Sequence, residues 1–368
     1  MITYYPAEAR IDLSAIRSNL ASVRERAGDT SILAVVKADA YGHGRAQVAR
    51  AVSNEADYLG VAQLGEALAL RSEVGSEPRI LSWIFAPGAP IAEALRANVE
   101  LSVGAFWAID EVADAVEQTG VTATVHLKVD TGMARGGFNV SDVVEASRKL
   151  RALQAEGRLA VVGLLSHLAR ADEPESGATE RQIELFEQAR GAVLSAGLAP
   201  DILHLAASGG ALWHPAARYD MVRPGIVMYG LSPNPEVATA RELGLTPAME
   251  LSARLILVRD VPAETAISYG HTEKTGGPTR LGVVPLGYGD GIPRAASSAA
   301  PVSIGGVHTR IRGRVCMDVP DAAAAGDEVV LFGGGDLPSA DEWAKACGTI
   351  GYEIVTRLGA RVPRSYHG

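Results

Sequence analysis

Eight short apolar runs recur through the first two thirds of the chain, with longer stretches rich in Ala, Glu and Arg between them. They are SILAVVK (31–37), YLGVA (58–62), RILSWI (79–84), ELSVG (100–104), TVHLKVD (124–130), VVGLLSHL (161–168), ILHLAAS (202–208) and MVRPGIVMYG (221–230). Such runs, rich in Val, Ile and Leu, read as strands alternating with helices in a parallel sheet. Eight of them predict a closed (β/α)8 TIM barrel, with an open doubly wound sheet as the alternative. After Gly230 the texture changes. A proline-bearing stretch, LSPNPEVATARELGLTP, reads as a linker, and β-rich runs broken by glycine turns follow it. The fold class is therefore α/β, with a barrel over 10–235 and a second, mostly antiparallel β domain over 236–368. Ser339 and Glu342 have capping-box spacing ahead of WAKAC, which predicts a short helix there.

At 368 residues the chain has length for two domains and a full core. Its 47% hydrophobic and 21% charged residues exclude a disordered or fibrous chain. A formal net charge of -9 argues against nucleic acid or an anionic membrane surface as the main partner. The one basic cluster, RIRGR (Arg310 to Arg314), reads as a solvated strand face. Two cysteines, Cys316 and Cys347, give no disulfide framework and point to a reducing compartment. The N-terminus lacks an apolar signal core, and no apolar run approaches membrane-spanning length. The expectation is a cytoplasmic protein with no membrane partner.

Active sites on barrels of this kind collect at the C-terminal ends of the strands. Polar residues stand at those ends: Lys37 on the first run, Lys128 and Asp130 on the fifth, His167 on the sixth, Ser208 on the seventh and Arg223 in the eighth. Singly, each has an ordinary structural reading, because a lysine can snorkel and a histidine can be a satisfied core residue. Together they converge. The loops after runs seven and eight, ASGG (207–210) and RPGI (223–226), stand where such barrels bind phosphate, and small residues there let backbone N–H groups approach an anion. A lysine, a phosphate cradle and an arginine suggest pyridoxal phosphate, which needs an amine, an anion site and a group facing its ring nitrogen. Other motifs are set aside. VDTG (129–132) lacks the second aspartate of a protease dyad, GYGDG (287–291) is interrupted by Pro293 before any helix, and no His/Cys cluster has metal spacing. His126, His204, His214, His271 and His308 read as structural or solvated.

Along nearly its whole length the chain resembles the alanine racemases, fold-type III pyridoxal phosphate enzymes. The resemblance runs through AVVKADAYGHG, HLKVDTGMARGGF, LLSHLARAD, VRPGIVMYG, ISYGHT, PLGYGDGIPR, GRVCMD and GYEIVTRLGARVPRSY, in that order. It implies that Lys37 carries the cofactor and is one catalytic base. Tyr41, Ser208, Gly225, Ile226 and Tyr352 match phosphate-holding positions, Arg223 the arginine facing the ring nitrogen, and His167 the histidine bonded to that arginine. Tyr269 matches the second catalytic base, delivered by the other subunit of a homodimer with composite sites. Arg135 and Met317 match substrate contacts, Met317 from the partner chain, Tyr288 an entrance gate, and Lys128 a lysine often carbamylated to orient Arg135. The resemblance also assigns the N-terminal strand, 1–9, to the C-terminal β domain. The chain departs from the usual pattern at Ala207, at Gly136, in SYG for GYG, and in a shortened segment after Met317.

The implied activity is interconversion of L-alanine and D-alanine, which supplies D-alanine for cell-wall peptidoglycan. Racemisation needs a base on each face of the substrate, which Lys37 and Tyr269 would provide. Arg223, as a guanidinium, gives up a proton poorly and would limit electron withdrawal by the ring. The alternatives are a broader racemase that also takes serine, a fold-type III amino-acid decarboxylase, and a pyridoxal phosphate carrier without turnover. A decarboxylase would place an acidic residue where Arg223 stands, and a carrier would need neither a second domain nor Tyr269.

Overall fold

The computed structural model describes residues 4–296, 298–313 and 315–368. Arg314 of the basic cluster and the first three residues of the expected N-terminal strand lie outside them. The chain divides into two compact units, one of residues 20–40 and 45–228, the other of 1–19, 41–44 and 229–368.

Strand β1 is Ala7–Asp12, and the next eight strands form the barrel: β2 (Ser31–Val35), β3 (Tyr58–Gln63), β4 (Arg79–Ile84), β5 (Val99–Val103), β6 (Ala123–Lys128), β7 (Leu159–Leu165), β8 (Ile202–His204) and β9 (Met221–Val222). They pair in parallel in the order β8-β7-β6-β5-β4-β3-β2-β9. The cylinder closes between β8 and β9, where Asp220 N–H donates to Leu203 O, Arg223 N–H donates to Ala206 O, and Ala207 forms an isolated bridge with Arg223. Helices such as Leu64–Val74, Phe106–Thr119, Val143–Ala155 and Ala178–Ser195 alternate with the strands. Every residue of β5 is buried, as a strand covered on both faces requires.

Four of the expected runs overshoot the C-terminal ends of their strands at the residues that matter most. β2 stops at Val35, two residues before Lys37; β7 stops at Leu165 before His167; β8 stops at His204, and Ser208 opens a helix, Ser208–Trp213; Arg223 follows β9 rather than lying in it. In each case the ladder ends where the backbone must turn to aim a side chain, which an apolar pattern does not encode.

The second unit holds a nine-stranded sheet and a two-stranded hairpin among the described residues. Its strands are β1 together with β10 (Met249–Arg254), β11 (Leu257–Val261), β12 (Ala266–Ile267), β13 (Glu273–Lys274), β14 (Thr279–Val283), β15 (Pro301–Ile304), β16 (Val307–Arg312), β17 (Cys316–Asp318), β18 (Glu328–Phe332) and β19 (Arg364–His367). The sheet order is β11-β14-β17-β16-β15-β18-β10-β1-β19, antiparallel except for the β1/β19 pair. The capping spacing is realised: Ser339 Oγ accepts from Glu342 N–H, Glu342 Oε2 accepts from Ser339 N–H, and the helix Ala340–Cys347 follows. The basic cluster does not form a solvated face. Arg310 is exposed, but Arg312 is buried with its guanidinium on Glu273 and Asp318, because an ion pair makes burial of the charge tolerable.

Candidate functional site

The chain leaves β2 through a backbone that L-residues avoid. Ala38, Asp39, Ala40 and Tyr41 all have φ between 53° and 54°, a complete left-handed helical turn directly after Lys37. Each such residue costs roughly 1–2 kcal/mol, so the surroundings must hold the turn in place. Ala40 N–H donates to Val36 O, Ala38 N–H to Glu66 Oε1, and Arg45 N–H to Asp39 Oδ1. Glu66 does this while its other oxygen accepts from Gln63 N–H in the capping box of Leu64–Val74. Strain concentrated on four consecutive residues beside one lysine marks that lysine for function.

Lys37 extends its ammonium nitrogen to 6.0 Å from the Trp83 ring centroid. Burial lowers its pKa, the charges of Arg135 and Arg223 lower it further, and Glu66 opposes them. Lys128 is depressed in the same way, by burial first and then by Arg135 and Arg223, with Asp130 opposing. Lys128, Asp130, Met133, Arg135, Gly136, Ser166 and His167 line one small concavity. Asp130 is kept in place by three backbone donors, Gly132, Met133 and Ala134, which makes VDTG a capped loop. The barrel thus gathers Lys37, Lys128, Arg135 and Arg223 with few carboxylates among them. Arg223 is buried, Lys37 and Lys128 are half-buried and Arg135 is exposed, and positive charge partly withdrawn from water is costly unless an anion joins it, so the set fits an anionic ligand.

Arg223 is buried, and burial pulls its pKa down to about 10, which leaves it charged at neutral pH. Its Nη2 donates to Ser166 O and Leu205 O and lies 3.2 Å from His167 Nδ1. Its Nη1 lies 3.2 Å from His204 Nδ1. A guanidinium only donates, so both imidazole nitrogens act as acceptors. His167 is held well below the ordinary histidine range by burial and then by the charge of Arg223, and is neutral. Ser208 Oγ accepts from Gly225 N–H at 2.9 Å, which ties the loop after β8 to the loop after β9. Ile226 is fully buried beside them. Gly209 could not be larger, because an added Cβ would lie 2.9 Å from Ala171 O.

The remaining predicted residues belong to the second unit. Tyr41 is buried, which raises its phenol pKa, and its ring packs 5.1 Å from Tyr229 and 6.1 Å from Tyr352. Gly42 and Gly44 are obligatory there: an added Cβ would lie 2.3 Å from Val355 O and 1.9 Å from the Tyr366 hydroxyl. Tyr269 stands on a tight turn after Ser268, whose φ is 60°, and is 78% exposed. Tyr288 is 69% exposed, on a turn that Asp290 caps by accepting from Gly287 N–H while it bonds Tyr5 and Arg361. Met317 is fully buried in β17, paired on both sides by Gly282 and Ile311, so its side chain has no open face. The sequence reading passed over Glu66, Trp83, Ser166 and Glu100, and it took His126 and His204 as structural or solvated. Both histidines are fully buried. Their signal was a polar residue inside an apolar run, His126 in TVHLKVD and His204 in ILHLAAS. Among the described residues no group of three or more His, Cys, Asp or Glu is arranged to hold a metal.

The pattern described as alanine racemase, N-terminal domain, matches residues 11–233, and that described as alanine racemase, C-terminal domain, matches 248–366. The alanine racemase of Beutenbergia cavernae is 53% identical, over 99% of this chain and 98% of its own length. That of Thermobifida fusca is 48% identical, over 98% of each. A crystal structure of alanine racemase from a D-cycloserine producing Streptomyces lavendulae superposes with a TM-score of 0.97 at 43% identity, over 100% of this chain and 98% of the other. The alanine racemase of Streptomyces coelicolor A3(2) superposes at 0.94 with 47% identity, over 98% of each chain. With both patterns matched and relatives this similar over their full length, the chain belongs to the alanine racemase family.

Proposed function

We propose that this chain interconverts L-alanine and D-alanine with pyridoxal phosphate held on Lys37. The observation that carries the reading is the amine of Lys37, its pKa lowered by burial and by the charges of Arg135 and Arg223, at the start of a strained turn. A neutral amine is the form that attacks an aldehyde and accepts a proton. The Ser208/Gly225 loop pair suits the cofactor's phosphate, and Ile226, Tyr41 and Tyr352 are the other positions that the family resemblance assigns to it. Bound pyridoxal phosphate supplies an electron-withdrawing ring that acidifies the α-hydrogen of an attached amino acid.

The chain's own residues do the rest. Lys37 exchanges a proton with one face of the α-carbon, and Tyr269 of the partner subunit with the other. Arg223 would face the ring nitrogen as a donor that stays charged, which would limit electron withdrawal and shorten the time in which side reactions occur. His167, neutral and accepting from Arg223, orients that guanidinium. Arg135 binds the substrate carboxylate, with Lys128, once carbamylated, orienting it; Met317 of the partner subunit contacts the substrate, and Tyr288 gates entry. The lowered pKa of the Lys128 amine favours this, because carbamylation needs the neutral amine.

Residues 10–235 then act as the cofactor-binding barrel, and 236–368 with 1–9 as the β domain that completes the site of a second copy. Two findings support this. Strand β1 pairs with β10 and β19, and two large aromatics, Tyr269 and Tyr288, are left exposed on tight turns. No helix among the described residues is long and apolar enough to cross a membrane, and both cysteines are unpaired, which suits the cytoplasm, where D-alanine would serve peptidoglycan synthesis. The test is to load the purified protein with pyridoxal phosphate, add L-alanine or L-serine, and separate enantiomers by chiral chromatography. D-alanine should form fastest. No D-alanine, or carbon dioxide release instead, would overturn the reading.

A further inference from the structure

Behind Arg223 a line of buried polar groups runs through the barrel interior to a carboxylate near the opposite strand ends. Arg223 Nη1 lies 3.2 Å from His204 Nδ1, His204 Nε2 lies 3.0 Å from His126 Nδ1, and His126 Nε2 lies 2.9 Å from Glu100 Oε2. Arg79 Nε donates to Glu100 Oε1 at 2.7 Å. Both histidines are fully buried and Glu100 nearly so. Glu100 is the second residue of β5, whereas Arg223 follows the end of β9, so the line spans the barrel lengthwise.

Its ends fix every hydrogen. Arg223 has donors alone, so His204 accepts at Nδ1 and carries its hydrogen on Nε2. That hydrogen is donated to His126 Nδ1, whose own hydrogen is then on Nε2 and is donated to Glu100, an acceptor. Any other tautomer sets two buried N–H groups face to face. A protonated His126 would force His204 to turn its N–H toward Arg223, so both rings are neutral. Burial, above all, and next the charge of Arg223 hold His204 well below the ordinary histidine range. Burial opposes ionisation of Glu100, but the bonds from His126 and Arg79 outweigh it and hold its carboxyl below the usual range.

The backbone is shaped to admit the line. The β6/β7 register shifts between Val125 and His126, which sets His126 opposite Gly163. An added Cβ at Gly163 would lie 1.9 Å from His126 Nδ1.

We propose that Glu100, His126 and His204 form a directed hydrogen-bond relay that fixes Arg223 as a donor toward the cofactor ring, which makes Glu100 and His126 positioning residues for racemisation. This rests on the function proposed above. Glu100 sets the tautomer of His126, His126 sets that of His204, and His204 offers Arg223 a lone pair in place of a hydrogen. With Nη2 held by Ser166 O, Leu205 O and His167, the guanidinium plane is then clamped at both ends.

The first test uses the cofactor-free wild type with ring-¹⁵N-labelled histidine. Two-bond ¹H–¹⁵N spectra should show His126 and His204 as neutral Nε2–H tautomers, assigned with His→Gln variants. A Nδ1–H tautomer or an imidazolium at either position overturns the relay. The second test loads the cofactor. Glu100→Leu, which removes the acceptor, should lower kcat about 10-fold with KM changed less than about 2-fold, and raise transamination per racemisation turnover. Glu100→Gln, whose carbonyl still accepts from His126, should restore most of both. Equal loss in the two variants, or an unchanged partition ratio in Glu100→Leu, sinks the positioning role. Should Glu100→Leu fail to fold, the wild-type tautomers and Glu100→Gln still decide. Wrong tautomers with intact D-alanine formation defeat the relay alone, whereas correct tautomers without D-alanine formation defeat the functional reading and the positioning role with it.

Discussion

The polar residues of the barrel and those of the β unit are held in opposite ways. In the barrel, Arg223 has both terminal nitrogens engaged, Lys37 precedes a strained turn tied down by Glu66, and Ser208 bonds Gly225. Arg223 and Ser208 are buried and Lys37 is half-buried, and desolvation is the largest cause of the depressed pKa values of Lys37, Lys128 and Arg223. In the β unit, Tyr269 and Tyr288 project into solvent from turns of three residues. The contrast separates two jobs. A barrel interior tunes charge because it removes water, and it can do so only with groups fixed by several bonds. A surface turn tunes nothing by burial, but it can present a side chain to a second molecule. Substitutions in the barrel should therefore disturb chemistry and stability together, and substitutions on the turns chemistry alone.

The largest expected effect is at Lys37. Lys37→Ala removes both the covalent anchor and a base, and racemisation should fall by more than about 10⁴-fold, as followed by chiral chromatography. Residual activity within tenfold of wild type would move the anchor elsewhere. Tyr269→Phe comes next and probes the other side of the contrast. Loss of one base should slow α-hydrogen exchange from one enantiomer by about 10²–10⁴-fold and from the other far less, measured by deuterium uptake from solvent. Because the ring is exposed, the unfolding free energy should stay within about 0.5 kcal/mol of wild type. Equal slowing of both enantiomers breaks the two-base assignment; a large loss of stability breaks the separation of jobs.

A pH titration sharpens the comparison at smaller scale. His167 and His204 have folded pKa values well below the ordinary 6.5, from burial and the charge of Arg223. Below pH 6.5 the unfolded chain takes up protons that the folded barrel refuses, so stability falls as pH is lowered. The slope should approach about 1.4 kcal/mol per pH unit for each histidine. Lys37 and Lys128 give the same sign near their unfolded pKa: between the lowered folded value and 10.5, stability rises with pH. Urea midpoints of the cofactor-free protein at pH 7.5 and 5.5 check the first window. A midpoint that does not move would mean these histidines are protonated in the fold.

What could be read from the amino acids divides along physical lines. Parallel strands buried on both faces write themselves as unbroken apolar runs, so all eight barrel strands were legible, RILSWI to the residue. The Ser339 helix was legible because a capping box is a local pattern. The left-handed turn after Lys37 was not. It places alanines and an aspartate at φ near 54°, against their own preference, and is kept there by Glu66, 28 positions away in the chain. Arg312 was misread because its partners, Glu273 and Asp318, come from separate strands. His126 and His204 could be seen as polar residues within strands, but no spacing reveals that they face each other or that Gly163 makes room for one of them. Pairing across a barrel depends on closure, and closure is not a local property of the chain.

The smallest effect tests the β unit where no chemistry is involved. Ser339 satisfies an orphan N–H at the start of Ala340–Cys347, and that helix buries Trp343, whose indole N–H donates to both Pro301 O and Leu331 O. Ser339→Ala removes the cap and should cost about 1 kcal/mol, read from the urea midpoint. The indole contacts and the sheet beneath them are untouched, so the helix should fray only at its first turn. Turnover at 25 °C should match wild type, because the turns carrying Tyr269 and Tyr288 are held by other residues, Asp290 among them. A drop in kcat beyond about twofold would show that the tight turns depend on the whole unit's stability, and the division between tuned interior and presented surface would then have to be redrawn around the β unit as a single cooperative piece.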